Sequence, residues 1–290
     1  MTAYLQILTY GIMNGALYAL IALGLSLIFG VMSYLNVAHG ALIMIGAYGS
    51  FWLFHLLKID PFLSIFLTLP LFLIAGLLLF MGLFKWLLEF SEHEKIKNSL
   101  LISFGLLLIL PNSAILLWTP DERGVTTWYS GRVLDILGVR LPYLGLATVG
   151  IAIGIIVALH LFLTRTYFGK AIRAVAQDHE AAGLMGINVT GTYVLSFAVG
   201  IALAAVPGAL VSLQGFNPEV AFELTNKALI VVILGGVGSI GGCLLAGLLL
   251  GAVEAAGVFV IGAAYRECIG LILFVLILMV RPQGVLGKKT

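Results

Sequence analysis

Charged side chains are scarce in this sequence of 290 residues, which has only 15 Lys and Arg and 13 Asp and Glu, against 61% apolar residues. Soluble domains carry roughly 25% charged and about 45–50% apolar residues. A chain with so few polar groups cannot cover its own surface in water, so an ordinary soluble domain is excluded. The composition predicts an all-α, polytopic transmembrane helix bundle. Because the net charge is only +2 and the basic residues are scattered, a nucleic-acid partner is also excluded.

The residue patterns of common catalysts are missing as well. The sequence contains no HExxH, no CxxC, no nucleophile elbow and no GxxxxGK[ST] phosphate loop, so we expect no catalytic residue, no bound metal and no cofactor in this chain. The two cysteines, Cys243 and Cys268, lie in apolar runs, which favours buried reduced thiols over a disulfide. Without an enzymatic site, the composition indicates transport.

Gaps between charged residues predict the membrane segments, since a helix needs about 20 apolar residues to cross the hydrocarbon core. The first 57 residues carry no charge, which is enough for two crossings, and we interpret Gln6–Gly30 as a retained first helix rather than a signal peptide. About eight segments are expected in one transmembrane domain over residues 1–290. The other candidates are Pro61–Phe84, Asn98–Pro120, Leu141–Thr164, Ala181–Pro218, Ala228–Val253, Ala255–Tyr265 and Cys268–Val280.

Basic residues predict the orientation, because short cytoplasmic loops are enriched in Lys and Arg. We place three clusters, nine basic residues in all, on the cytoplasmic side, which leaves six outside. The three clusters are Lys85, Lys95 and Lys97; Arg165, Lys170 and Arg173; and Arg281, Lys288 and Lys289.

A glycine-rich stretch, Leu234–Gly242, holds five glycines in nine residues. Because each glycine costs a helix about 1 kcal/mol relative to alanine, we expect a break here. The predicted form is a half-helix that enters from outside, breaks at mid-depth near residues 228–262 and returns as Cys243–Ile261. Broken backbone at that depth must line protein or a cavity, so the translocation path is predicted to include Gly235, Gly236, Gly238 and Ser239. The alternative is close helix packing through small residues.

Three isolated polar side chains extend this prediction to the N-terminal region. Asn36 and His39 interrupt the charge-free stretch, and Asn14 lies within it. They either line the path or, for Asn36 and His39, form a surface turn between two helices. Glu254 is the acid inside a strongly apolar stretch. It either lies near an interface, is protonated or faces the protein interior, and we favour the interface.

The segment from Thr166 to Ile187 predicts an amphipathic helix of about 15 residues in a cytoplasmic loop over residues 165–190. Such a helix lies on the membrane surface or docks on a soluble partner. At helical spacing its polar stripe is Lys170, Arg173, Gln177 and Glu180, and its apolar side is Ile172, Val175, Ala176 and Ala182.

Glu180-Ala181-Ala182 followed by Gly186 keeps the EAA-x-x-x-G spacing of the coupling loop in permease subunits of bacterial ABC importers. Four further motifs, in the same order along the chain, resemble the LivH-type permease of branched-chain amino acid importers. They are Asn36–Gly40 with Ile45–Tyr48, Phe168–Ala174, Val232–Gly242 and Arg281–Gly287. One departure is Gly241, which stands where the family has proline.

The resemblance implies a permease in the bacterial cytoplasmic (inner) membrane that carries Leu, Ile or Val. It implies four kinds of partner: a homologous LivM-type permease, two cytoplasmic ATPases that hold ATP and Mg, a periplasmic or lipid-anchored binding protein, and membrane lipid. The alternatives are the same type of importer for urea or short amides, and a stand-alone secondary transporter. The ATPase-coupling residues expected on this basis are Gly169, Lys170, Arg173, Asp178, Glu180, Ala181, Ala182, Gly183 and Gly186. Gly183 and Gly186 are expected to turn the chain back to the membrane.

Overall fold

A computed structural model describes residues 2–136, 138–281 and 283–286, and it is built almost wholly from helices. Eight segments in this part of the chain are long and apolar enough to cross a membrane, which confirms the predicted all-α polytopic bundle. The helices are α1 Thr2–Met32, α2 His39–Leu57, α3 Pro61–Leu79, α4 Glu92–Trp118, α5 Tyr143–Arg165, α6 Tyr167–Gln177, α7 His179–Leu184, α8 Val189–Ser212, α9 Val220–Gly235, α10 Ile240–Ile261 and α11 Arg266–Val280. Shorter helical turns, Phe80–Phe84 and Lys85–Glu89, continue α3, and Ala263–Tyr265 precedes α11.

One end of the bundle, here called the hairpin end, carries the antiparallel strands β1 (Val133–Ile136) and β2 (Val139–Pro142). The start of α1 lies there as well. The Gln6 side-chain Nε2 donates to the Arg140 backbone carbonyl at 2.7 Å, and the Arg140 backbone N–H donates to Gln6 Oε1 at 2.8 Å. The start of α3 joins it through the Tyr129 hydroxyl, which donates to Asp60 at 2.9 Å. Burial raises the pKa of this phenol to about 12, so it keeps its proton at ordinary pH.

The opposite end of the bundle, here called the α6 end, collects the other helix termini. Leu27 of α1, Leu163 of α5 and Ile172 of α6 share one apolar cluster, and Ile240 at the start of α10 packs against it. Since α8 ends at the hairpin end, where the Val125 N–H donates to the Ser212 carbonyl at 2.8 Å, the 16-residue α9 must return the chain to the α6 end. This short helix adds a ninth pass to the eight long segments.

The three basic clusters lie together at the α6 end as far as the structure describes them: the α3–α4 connection, α6 and Arg281. Lys288 and Lys289 fall outside the described residues. Six basic residues were predicted on the outer side. Lys227 does not lie in a loop as that prediction requires, because it is buried within α9 with 3% of its surface exposed. The charge pattern therefore predicted correctly which loops share one end.

The core of the molecule is built around α1 and α8. In each of these helices, 83% of the residues in the most apolar 18-residue window are buried. The backbones of α1 and α10 touch through glycines: a Cβ on Gly15 would lie 2.7 Å from the Gly247 carbonyl oxygen, and one on Gly251 would lie 2.4 Å from that of Gly11. Small residues four apart let two helices approach this far, although these glycines lie outside the Leu234–Gly242 stretch to which the close-packing alternative applied.

The predicted break in the glycine-rich stretch is confirmed, since α9 ends at Gly235 and α10 begins at Ile240. Its predicted depth was wrong. A Cβ on Gly30, two residues before the end of α1, would lie 2.3 Å from Gly238, so the turn lies at the α6 end. The 22 residues of α10 extend about 33 Å and cross alone, and α9 starts at Val220 rather than Ala228, which makes it longer than expected.

Candidate coupling surface and translocation segments

Helix α6 has the amphipathic form that the sequence predicts. Thr166 caps its start by accepting the Gly169 N–H at 3.0 Å. Lys170 and Arg173 are exposed, whereas Ile172 and Val175 are buried with 1% and 3% of their surface accessible. Ala176 is exposed, so its assignment to the apolar side was wrong. Helix α6 thus lies against the bundle with its charged side outward.

The predicted single helix is in fact two helices separated at Asp178. The backbone of Asp178 is extended (φ −159°, ψ 108°), and its carboxylate accepts the Ala181 N–H at 2.9 Å as the N-cap of α7. Aspartate competes for backbone N–H groups in this way and favours a cap over a helix interior. The chain therefore bends between Lys170–Arg173 and Glu180.

The return to the membrane uses one of the two predicted glycines. Gly186 adopts φ +84°, and its N–H donates to the Gly183 carbonyl at 3.0 Å while the Ile187 N–H donates to that of Ala182 at 3.1 Å. These bonds satisfy carbonyls at the end of α7, as helix C-caps commonly do. Gly183 lies inside α7 and is not among the glycines with a positive φ, so the expectation that its own backbone angles turn the chain was wrong.

The residues proposed for ATPase coupling divide by burial. Lys170, Arg173, Asp178, Glu180 and Ala181 are exposed, as are Gly183 and Gly186. Gly169 and Ala182 face the bundle instead: a Cβ on Gly169 would lie 2.1 Å from the Phe162 carbonyl oxygen, and Ala182 is 5% exposed. These two residues fix the position of α6 and α7 and do not present a contact surface.

Two large apolar residues at the tip of α7 escaped the sequence analysis. Leu184 is 89% exposed and Met185 is 84% exposed, and they follow Glu180 at the end of α7. The sequence did hold a signal for them. Leu184 and Met185 follow the polar stripe of the segment and do not continue its apolar side. We define the coupling surface as Lys170, Arg173, Asp178, Glu180, Leu184 and Met185.

The connection between α1 and α2 is irregular, largely buried backbone whose polar groups are bonded by neighbouring helices. The N–H groups of Leu35 and Val37 donate to the hydroxyls of Ser99 and Ser103, each at 3.1 Å, and the Thr225 hydroxyl donates to the Val37 carbonyl at 3.0 Å. This segment is not the surface turn that was one alternative. Serines on α4 and a threonine on α9 allow irregular backbone to lie inside an apolar bundle.

The polar residues predicted for the translocation path are not brought together. Asn36 is 1% exposed, and its side-chain amide oxygen Oδ1 accepts the Ala38 N–H at 3.1 Å, which forms a local turn. His39 is fully buried beside Gly24, where an added Cβ would lie 2.8 Å from the imidazole. Asn14 is half-buried on α1. Since Asn14 and Gly30 are 16 residues apart on one helix, about 24 Å, the histidine, the asparagine and the glycine turn lie at different depths.

The glycine turn is held by backbone conformation and by the C-terminal segment. Gly236 and Gly238 adopt φ +90° and +74°, and Ser239 caps α10 by accepting the Gly242 N–H at 3.0 Å. The N–H groups of residues 285 and 286 donate to the carbonyls of Leu234 and Gly235 at 2.7 and 3.2 Å. The tail thus completes the hydrogen bonds that α9 leaves open at its end.

Glu254 faces the interior, so the favoured placement at an interface was wrong. It is 1% exposed, forms an ion pair with Lys227 and accepts the Tyr18 hydroxyl at 2.7 Å. Arg266 Nε lies 3.9 Å from its second oxygen. Three helices, α1, α9 and α10, are linked through this carboxylate.

Both cysteines are free, and the burial of Cys243 is confirmed. Cys268 is exposed on α11, which corrects the prediction for that thiol. Within the described ranges, His, Cys, Asp and Glu form no group of three or more that could hold a metal ion.

A bundle in which eight of the described segments are long and apolar enough to cross a membrane defines a multi-pass membrane protein. The family model described as branched-chain amino acid transport system, permease component, matches residues 7–280. The chain belongs to this family, and permease subunits of this kind are not themselves enzymes.

Curated relatives agree with the family match. The chain is 33% identical to the high-affinity branched-chain amino acid transport system permease protein BraD of Pseudomonas aeruginosa, over 98% of this chain and 96% of that protein. It is 30% identical to LivH of Salmonella typhimurium over the same shares. A probable LivH from Methanocaldococcus jannaschii is 27% identical over 97% of this chain and 92% of that protein. No solved structure matches.

Proposed function

We propose that this protein is the permease subunit of an ABC importer for branched-chain amino acids in the bacterial inner membrane. It forms the translocation path with a second, homologous LivM-type permease. The BraD and LivH relatives are named as permease proteins of high-affinity branched-chain amino acid transport systems, which supports this cargo and favours it over urea or short amides. Two cytoplasmic ATPases supply ATP and Mg, and a periplasmic or lipid-anchored binding protein delivers the amino acid.

The coupling surface is the observation that carries the proposal. Its four charged residues are exposed on α6 and α7, and Leu184 and Met185 on the same segment are 89% and 84% exposed. An exposed apolar pair with a charged rim suits insertion into a groove on a soluble partner, where the apolar contact supplies affinity and the charges supply register. The basic clusters at the same end favour the cytoplasmic side.

Force from the ATPases would reach the bundle through buried contacts of α6. Ile172 packs with Leu27 of α1, Leu163 of α5 and Leu203 of α8. A movement of α6 therefore presses on three membrane helices at once. Interior packing resists compression, so these contacts transmit a displacement to the helices that surround the path.

The test is co-purification and ATP-driven leucine uptake with the assembled importer. Leu184→Asp should release the ATPases and abolish uptake, because it places a charge in an apolar contact. Arg173→Glu should reduce uptake at least tenfold while the permease stays folded.

Matched controls lie at the hairpin end. Leu134→Asp alters a leucine that is 37% exposed on β1, and Arg132→Glu alters an exposed arginine; both should retain the ATPases and normal uptake. Leucine transport by this chain alone in liposomes, or normal uptake with Leu184→Asp, would refute the proposal.

A further inference from the structure

A second polar constellation lies at the hairpin end, far from the coupling surface. Helix α2, the end of α4 and the loop before α9 meet there around one arginine. The Tyr48 and Trp118 rings stack with centroids 4.4 Å apart, and Tyr48 meets Phe216 edge-on at 4.8 Å. We call this set the aromatic–arginine cluster; it consists of Tyr48, Phe51, Trp52, Trp118, Arg123 and Phe216.

The arginine is held in a fixed position within this cluster. Its backbone N–H and carbonyl each bond those of Phe216 at 2.8 Å, and its Nη2 donates to the Trp118 carbonyl. Its Cζ lies 5.5 Å from the Phe51 ring and 5.7 Å from the Trp52 ring, which is cation–π distance. The guanidinium is therefore oriented before any ligand arrives.

Three buried polar atoms of the cluster have no hydrogen-bond partner among the described residues. They are the Tyr48 hydroxyl, Trp52 Nε1 and Arg123 Nε, and Tyr48 is fully buried. Indole and guanidinium nitrogens can only donate, and one of the three groups is a cation. Buried donors are normally satisfied, so the matching ligand is an anionic acceptor.

The surroundings narrow the chemical class of that ligand. The rings of Phe51, Trp118 and Phe216 are apolar, which suits a carboxylate attached to an aliphatic group, and a planar carboxylate fits the fork of an arginine. Phe216 also lines an adjoining cavity of about 430 Å³ with Glu122, Glu219 and Glu223. These carboxylates repel simple anions and attract an ammonium group, so a zwitterion is favoured.

We propose that the Tyr48, Trp52 and Arg123 donors bind the α-carboxylate of an aliphatic amino acid as it arrives at the hairpin end. This inference rests on the proposed function and deepens it, because it assigns this chain a binding site for the cargo. The hairpin end faces away from the α6 end, so the site lies on the side from which an importer receives its cargo.

The test is a titration of the purified full chain in non-ionic detergent, followed by tryptophan fluorescence, since two of the four tryptophans lie in the cluster. Leucine should give a saturable change, whereas leucinamide, which lacks the carboxylate, and inorganic phosphate should give none. A response to leucinamide or phosphate that matches the response to leucine would overturn the inference.

Tyr48→Phe is the decisive variant, because it removes only a hydroxyl that has no partner among the described residues. It should raise the half-saturating leucine concentration at least fivefold and leave the unfolding temperature unchanged. Arg123→Gln should abolish the response. The control is Arg132→Gln, since Arg132 lies over Trp128 at 5.0 Å in an exposed pair at the same end and should bind leucine normally.

The failure of this inference and the failure of the proposed function give different results. If Tyr48→Phe binds leucine like the wild type, or if only Arg123→Gln loses binding and also melts earlier, the carboxylate site is refuted. Normal leucine uptake by importers carrying either variant refutes it too, while the importer itself stands. A wild-type importer that fails to take up leucine refutes the proposed function instead.

Discussion

At the scale of single residues, we expect changes at Lys227 and Glu254 to lower the stability of the fold the most. Both are buried, with 3% and 1% of their surface exposed, and each is the other's counterion. A charge in such surroundings is costly without its partner. The pair, with the Tyr18 hydroxyl, therefore fixes the short helix α9 against α10 and α1.

We predict that Glu254→Gln lowers the free energy of unfolding by about 3–5 kcal/mol, because it leaves the Lys227 ammonium unpaired in the interior. Thermal unfolding in detergent measures the loss. The double variant Lys227→Met with Glu254→Leu should recover most of it, since no buried charge remains.

Arg266→Gln is the control for this experiment. The Arg266 side chain is 44% exposed and its Nε lies 3.9 Å from Glu254, so its removal should change stability by less than about 1 kcal/mol. If the single and double variants were equally unstable, shape rather than charge would explain the role of the pair.

At the scale of elements, the contact between α1 and α10 is determined by glycines at positions where any side chain would collide with backbone. Gly11 and Gly15 face Gly247 and Gly251. Backbone cannot rotate out of the way as a flexible side chain can, so a substitution here must move a helix.

Gly251→Leu is therefore expected to destabilise the protein by at least about 1–3 kcal/mol, the cost of overpacking. Its matched control is Gly154→Leu on α5, where no atom of the described residues lies within 4 Å of the added Cβ. That variant should be neutral or gain up to about 1 kcal/mol from helix propensity. Equal unfolding temperatures for the two variants would contradict the close approach of α1 and α10.

At the scale of the whole molecule, the described chain passes through the bundle nine times. Because nine is an odd number, the start of α1 and residues 283–286 lie at opposite ends. The three predicted basic clusters gather at the α6 end as far as the structure describes them, whereas the connection between α4 and α5 at the hairpin end carries Arg123, Arg132 and Arg140. The positive-inside rule then orients the hairpin end toward the exterior.

Cysteine labelling tests this orientation in a Cys268→Ser background, in which the remaining Cys243 is buried. Trp128→Cys replaces a residue that is 74% exposed at the hairpin end and should react with a membrane-impermeant maleimide in intact spheroplasts. Lys170→Cys should react only after the membrane is opened. The reverse pattern would invert the topology.

The sequence correctly predicted those features that a local pattern of residues determines. The spans follow from apolar runs, the break from glycine density and the outward side of α6 from helical periodicity. It failed where a distant contact decides the outcome. The depth of the glycine turn depends on Gly30, and the burial of Glu254 depends on a lysine 27 residues earlier, which no local pattern identifies.

Sequence also failed where a side chain competes with its own backbone. The cap formed by Asp178 divides a stretch whose periodicity alone predicts one helix. At the candidate path, Asn36 was noticed for its polarity, but its amide only closes a local turn. The donors around Arg123 were missed because Tyr48, Trp52 and Arg123 converge only after folding.

The glycine seam of α1 has a consequence for biosynthesis. The ribosome makes Gly11 and Gly15 some 230 residues before it makes Gly247 and Gly251, a delay of roughly 10–50 s at ordinary translation speeds. During that interval the seam must be shielded by lipid or by the insertion machinery. Helix α1 is thus made well before the partner of its glycine seam, and it must stay in the membrane without that contact until α10 has been inserted.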